Sequence, residues 1–171
     1  MTGRVHVYTG DGKGKTTAAL GLALHAAGAG LKVYVAQFVK GAEYSELKAL
    51  VRLSDLITTK QYGLGFFVNR EPNKKDFRAA REGLKEVRGI ICSGVYDVVI
   101  LDEANIATYY DLFSVDDLLD VIRAKPERIE LVITGRMADP LVIEAADLVT
   151  EMKEIKHYYD NGVRARIGIE K

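Results

Sequence analysis

Lys15 and Thr16 stand at the end of Thr9-Gly10-Asp11-Gly12-Lys13-Gly14-Lys15-Thr16-Thr17, directly after the apolar run Val5 to Tyr8. Strand, glycine-rich loop and helix in that order are what a phosphate-binding loop requires. The glycines let the backbone curl and approach an anion closely. The amides that open the following helix point at the anion, and the helix dipole adds attraction. In that arrangement Lys15 reaches the terminal phosphates and the Thr16 hydroxyl binds Mg2+. The spacing departs from G-x-x-x-x-G-K-[ST]: Thr9 holds the first position and Gly10 sits one place late. A plain glycine-rich turn before a helix is the competing reading, and Gly-Lys-Thr-Thr after a strand speaks against it.

A second chemical signal is Tyr96 to Glu103, where four apolar residues run into Asp102 and Glu103. An acidic residue at a strand's carboxyl end can hold a metal's shell beside the phosphate loop. Thr16, Asp102 and Glu103 are therefore the expected metal residues. Glu103 could equally touch the nucleotide or position a reactant. Glu130 to Thr134 reads as another core strand and delivers Arg136 to the same edge, where a guanidinium suits phosphate. The three histidines lack metal-ligand spacing, and only His157 falls near the proposed edge. No Cys/His cluster, nucleophile elbow or paired general acid and base stands out. The chemistry reads as phosphate and metal handling without a protein nucleophile.

These groups need a sheet whose carboxyl edge collects them, which is where ligands bind in open α/β folds. Strand one is Val5 to Tyr8, followed by an Ala- and Leu-rich helix from Thr16 to about Ala29. Lys32 to Val39 is nearly continuous β-branched and aromatic sequence, as in a buried parallel strand. Glu43 to Leu53 has helical spacing, Leu56 to Tyr62 suggests a third strand, and Lys74 to Ile91 an amphipathic helix. Between them, Gly63 to Asn73 is a loop holding Phe66 and Phe67, read either as core plugs or as site residues. Ser114 with Asp117 suggests a helix cap, opening a helix to Ala124. Pro140 begins a short helix, and Leu148 to Ile155 a last strand.

The 171 residues suit one domain, 1–171, of mostly parallel α/β class. Twenty-four basic against 24 acidic side chains give no global charge for nucleic acid or an acidic membrane. No apolar run approaches the roughly 20 residues of a membrane span. Strand one starts too early for a signal peptide to precede it. Cys92 is the single cysteine; it is expected to be a buried small hydrophobe and fits a cytoplasmic setting.

Together these segments resemble the ATP:corrinoid adenosyltransferases, the P-loop type of cob(I)alamin adenosyltransferase. Tyr8 to Ala19 looks like that family's truncated phosphate loop. Gln37-Phe38-Val39-Lys40-Gly41, Gly65-Phe66, Ile100-Leu101-Asp102-Glu103, Ile133-Thr134-Gly135-Arg136, Ala145 to Met152 and Lys156-His157 match further family motifs in order. The resemblance implies a three-layer, RecA-like P-loop fold. It implies that a Co(I) corrinoid attacks C5′ of ATP and that triphosphate leaves. It places Thr9 to Thr17 and Arg136 on ATP, and Phe66, Phe67 and His157 on the corrinoid, with Lys15, Glu103 and Phe66 catalytic. Mg2+ (or Mn2+), a reductase supplying Co(I) and a homodimer are implied as well. The rivals are a P-loop ATPase or phosphotransferase, which would form ADP, and a nucleotide-gated corrinoid carrier that does not turn over.

Overall fold

The central strands alternate between two apolar faces, and this alternation builds three layers. The computed structural model describes residues 2–41, 44–65 and 71–170. Its strands are β1 (Val5–Thr9), β2 (Val33–Gln37), β3 (Ile57–Gln61), β4 (Val98–Asp102), β5 (Glu130–Thr134) and β6 (Leu148–Glu151). They form one sheet in the order β3-β2-β4-β5-β1-β6, with every pairing parallel. The helices are α1 (Lys15–Gly28), α2 (Ser45–Leu50), α3 (Lys74–Ser93), α4 (Ala104–Tyr109), α5 (Val115–Ala124) and α6 (Pro140–Glu144).

On one face Val33, Val35, Val98, Ile100 and Val132 meet Ala19, Ala23, Ala26 and Ala27 of α1. Those alanines recur at helical spacing and form one apolar stripe. Their small side chains let α1 lie close to the sheet. On the other face Tyr34, Ala36, Val99, Leu101, Leu131 and Ile133 join Leu84, Val87 and Ile91 of α3 and Leu118, Val121 and Ile122 of α5. Strands buried on both faces read as continuous apolar runs, which is why β2, β4 and β5 were visible in the sequence. The side-chain period of two has a functional consequence. One step beyond Val35, Ile100 and Val132, it turns Gln37, Asp102 and Thr134 to the α1 face at the carboxyl edge.

Most expected elements form, with instructive differences. The expected strand 32–39 keeps its ladder only to Gln37; Phe38 continues buried, stacked on Tyr62 and edge-on to Phe113. The expected helix 43–53 is shorter, and Val51–Leu53 tightens into a 3-10 turn. The last strand stops at Glu151 instead of Ile155. Helix α4 was not expected; it opens where Glu103 takes a left-handed conformation, φ 61°. Ser114 and Asp117 do form a capping box, and Asn73 and Asp76 form a second. Cys92 corrects its expectation: it is exposed near the end of α3, because Ile91 takes the core-facing position there. Among the described residues no helix is long and apolar enough to cross a membrane.

Candidate active site

The glycine-rich loop leaves β1 and is braced from the side by the residue after β6. The Gly12 amide donates to the Met152 carbonyl at 2.6 Å, and the Met152 amide donates to the Thr9 carbonyl at 2.8 Å. A Cβ on Gly10 or Gly12 would stand 2.5 Å or 2.7 Å from the Met152 oxygen, and Gly10 also has φ 91°. The loop therefore needs glycine where the neighbouring chain lies against it. Helix α1 then opens at Gly14 with no side-chain cap and no acidic residue in its first turn. Its first amides have no intrahelical partner and suit an anion. The Lys15 ammonium folds back over the loop, donating to the carbonyls of Gly10 at 2.6 Å and Gly12 at 2.7 Å. Burial, then the nearby Arg136, lowers its pKa from the ordinary lysine value; Glu103, Asp11 and Glu154 oppose this.

Asp102 is the buried hub, 1% exposed. Its Oδ1 accepts from Thr16 Oγ1 at 2.8 Å and Thr134 Oγ1 at 2.7 Å. Its Oδ2 accepts from Gln37 Nε2 at 3.1 Å and pairs with Lys40 Nζ at 3.0 Å. Gln61 donates to Gln37 Oε1 at 3.2 Å and so orients that amide. Burial alone would lower the Lys40 pKa, but Asp102, Glu46 and Glu103 outweigh it and hold the ammonium above its ordinary value. The Glu103 amide donates to Thr134 Oγ1 at 3.1 Å. Burial, then the Asp102 charge, raises the Glu103 pKa against the pull of Lys40, Lys15 and Arg136. Asn105 at the start of α4 donates to the Gly135 carbonyl at 3.1 Å and so ties the Arg136 turn to the acidic strand.

The carboxyl-terminal segment closes over this edge. Lys13 Nζ donates to Tyr158 Oη at 3.1 Å, the Ile169 carbonyl at 3.0 Å and Glu170 Oε1 at 2.9 Å. Tyr158 and Arg166 also donate to Glu170. These donors pull the Glu170 pKa far below the ordinary carboxylate value, with Arg166 the main cause. His157 Nδ1 accepts the Tyr159 amide at 3.0 Å, which caps a 3-10 turn at Tyr158–Asn161.

A cavity of about 930 Å3 opens between these parts, lined by 11–17, Lys40, Glu46, Glu103, Arg136, His157 and 168–170. The fold thus brings Asp11, Gly12, Lys13, Gly14, Lys15, Thr16, Thr17, Glu103, Arg136 and His157 to one space. Thr9 and Gly10 lie behind the loop, with Thr9 Oγ1 accepting the Ala138 amide at 3.4 Å. Asp102 lies beneath. Lys13 shares the cavity, but its ammonium points to the tail. Phe66 and Phe67 lie outside the described residues. Sequence reasoning gave no site role to Lys40, Gln37 or Thr134. Gln37 and Thr134 lay within the expected strands 32–39 and 130–134, and following the period of two to the carboxyl ends of those strands would have found them. Among the described residues no cluster of three His, Cys, Asp or Glu side chains forms a metal cage.

A sequence model described as ATP:corrinoid adenosyltransferase BtuR/CobO/CobP matches residues 1–170. A corrinoid adenosyltransferase of Pseudomonas aeruginosa is 36% identical over 165 residues, covering 96% of this chain and 81% of that protein. One from Escherichia coli K12 is 34% identical over 168 residues, covering 98% and 85%. Among solved structures, flagellar accessory protein FlaH from Methanocaldococcus jannaschii aligns with a TM-score of 0.62 at 14% identity, over 88% of this chain and 71% of that one. That likeness concerns the fold alone, a RecA-like P-loop architecture.

Proposed function

Because the chain belongs to the ATP:corrinoid adenosyltransferase family, we propose that it moves the 5′-deoxyadenosyl group of ATP onto the cobalt of a Co(I) corrinoid. The cobalt electron pair attacks C5′ and the cobalt–carbon bond forms. The C5′–O bond breaks, and its electron pair leaves with triphosphate. Cobalt passes formally from Co(I) to Co(III), so no further oxidant is needed. Because the nucleophile belongs to the substrate, the protein's task is to hold a polyanionic leaving group and neutralise its charge.

One observation carries this reading: Lys15, the uncapped amino end of α1 and Thr16, bonded to Asp102 beneath it, converge on a cavity of about 930 Å3. That volume lies near the top of the roughly 300–1,000 Å3 range of ligand pockets. It suits a nucleotide with part of a second, large substrate. In this reading Lys15 turns from the loop carbonyls to the phosphates, the first α1 amides donate to them in place, and Arg136 joins from the rim. Glu103 faces the same cavity and positions a reactant there. The hard oxygens of Thr16 and Asp102, 2.8 Å apart, fit Mg2+, which takes one or two protein oxygens together with substrate phosphates. Bound there, the ion would offset the triphosphate's charge.

We assign Phe66 to the corrinoid's lower face on the Gly65-Phe66 motif, Phe67 to the corrinoid as its neighbour in that loop, and His157 to the corrinoid because it lines the same cavity. Phe66→Ala should lose more activity with Co(II) substrate under mild reduction than with prereduced Co(I). Equal losses would make Phe66 a packing residue. A reductase that delivers Co(I), a homodimer and a cytoplasmic setting complete the proposal; sedimentation tests the dimer.

The deciding experiment combines the protein, ATP, Mg2+ and chemically reduced cobalamin or cobinamide. A light-sensitive adenosylcorrinoid spectrum should grow in step with triphosphate. ADP accumulating without a cobalt–carbon product would overturn the reading in favour of a phosphotransferase. Tight binding of both substrates without product would favour a carrier.

A further inference from the structure

Lys40 is the site residue with the least obvious task. Its ammonium sits among three oxygens: Asp102 Oδ2 at 3.0 Å, Thr16 Oγ1 at 3.3 Å and Glu46 Oε1 at 3.5 Å. Thr16 and Asp102 are the pair to which a divalent ion was assigned above. An Mg2+ about 2.0–2.1 Å from Thr16 Oγ1 and an Asp102 oxygen would contend with an ammonium held 3.3 Å from the same hydroxyl and 3.0 Å from the other oxygen of the same carboxylate. The two cations also repel, and more strongly where the groups are as buried as Asp102 and Lys40.

Asp102 shows which of its bonds can be released. A carboxylate accepts about four hydrogen bonds, and Asp102 already takes four from the described residues. Gln37 and Thr134 donate from the ends of neighbouring strands in the buried sheet, and Thr16 from the first turn of α1. Those three are held by the frame of the fold. Lys40 alone reaches Asp102 on a flexible four-carbon stem, from the segment after β2. It also has somewhere to go: Glu46 of α2 lies within 3.5 Å, and the Tyr44 ring centroid is 5.3 Å from the ammonium.

We propose that Lys40 is a resident counter-cation: its ammonium occupies the divalent-metal position while no metal is bound, and withdraws toward Glu46 and Tyr44 when the metal enters. This rests on the metal assignment made under Proposed function, not on the identity of the second substrate. It gives the buried Asp102 charge a partner in the absence of substrate. It also makes metal binding an exchange of cations, so that free metal alone competes poorly and metal arriving with the nucleotide competes well.

The test is Mn2+ binding followed by electron paramagnetic resonance, with and without ATP, in the wild-type protein, Lys40→Met and Lys40→Gln. Without nucleotide, Lys40→Met should bind Mn2+ at least ten-fold more tightly than wild type. Its melting temperature, lowered in the absence of metal, should recover on adding Mn2+ by more than the wild-type value shifts. Lys40→Gln guards against a misfolded Met variant and should gain affinity in the same direction. Unchanged or weaker Mn2+ affinity in both variants, with ATP-dependent binding intact in wild type, would overturn the proposal and leave the metal site standing. If wild type fails to bind Mn2+ even with ATP, the metal assignment falls and the counter-cation role falls with it. Neither result bears on adenosyl transfer, which is read separately from the corrinoid spectrum.

Discussion

Among the described residues, Lys15 bonds to carbonyls of its own loop, and these neutral acceptors are ones a phosphate oxygen readily replaces. Lys15→Ala should therefore leave the fold intact and remove leaving-group stabilisation. A loss of about 10²–10³ in turnover is expected, by analogy with removal of one oxyanion donor. Steady-state adenosylation and a melting curve check both halves, and near-normal turnover would end the assignment. Glu103 presents the opposite balance. Its pKa is raised because burial and Asp102 disfavour the ionised carboxylate. A raised carboxylate pKa means the folded chain binds more protons than the unfolded chain within the window between the two values. The destabilisation is absent below the unfolded value, grows as pH rises through that window, and is complete above the folded value. Glu103→Gln should thus melt higher than wild type at pH 8, with the curves converging under acid, while transfer activity falls. A variant that melts lower at pH 8 would contradict this. Among residues, Lys15, Thr16, Asp102 and Glu103 were legible because motif chemistry is local. Lys13 was legible only as a cation near the loop: its ammonium is claimed by Glu170, 157 positions away, and no local pattern encodes that.

At the scale of elements, caps and strand periods explain why the functional residues arrive where they do. Ser114 Oγ accepts the Asp117 amide, and Asp117 accepts the Ser114 amide and hydroxyl in return. The Ser114 hydroxyl, then its amide, lowers the Asp117 pKa. Losing this cap in Ser114→Ala should cost about 1 kcal/mol at neutral pH. A depressed carboxylate contributes its stability above the unfolded value and loses it as pH falls through the folded value. The gap between variant and wild type should therefore narrow in acid, which urea titrations at pH 7 and pH 3 can measure. The same box was visible in the sequence because Ser-x-x-Asp ahead of an apolar run is a local signature. Strand β5 was equally visible, since Glu130 to Thr134 is a short apolar run with no rival pattern. Helix α4 was not. Its start depends on Glu103 taking φ 61°, a conformation set by the packing of β4 against β5 and the hydroxyl of Thr134. Cys92 was misplaced for a related reason: an apolar neighbourhood in sequence does not say which side of a helix faces the core.

Across the whole molecule, β5 lies between the phosphate-loop strand β1 and the acidic strand β4. That placement puts Thr134 beside Asp102 and beneath Glu103, joining the two motifs through one hydroxyl. The carboxyl-terminal segment then closes the cavity from the opposite side through Lys13, Tyr158, Arg166 and Glu170. These ion pairs lie at the surface, where such pairs contribute little to global stability. Glu170→Ala should leave the melting temperature nearly unchanged yet loosen the tail. Limited proteolysis should then cut between residues 157 and 170 several-fold faster than in wild type. Unchanged cleavage would mean that the tail is held by other contacts.

By itself the sequence determined the phosphate loop, the acidic strand end, the parallel sheet class and the membership that its ordered motifs imply. Each follows from backbone chemistry or from a period of two or 3.6 residues, and these act over a few positions. Tertiary structure alone decided the strand order, the four donors on Asp102, the direction of the Lys13 ammonium and the station of Lys40. Thr16 and Asp102 stand 86 positions apart and Thr134 another 32 beyond. Their meeting depends on which strands become neighbours, and that is settled by packing both faces of one sheet at once.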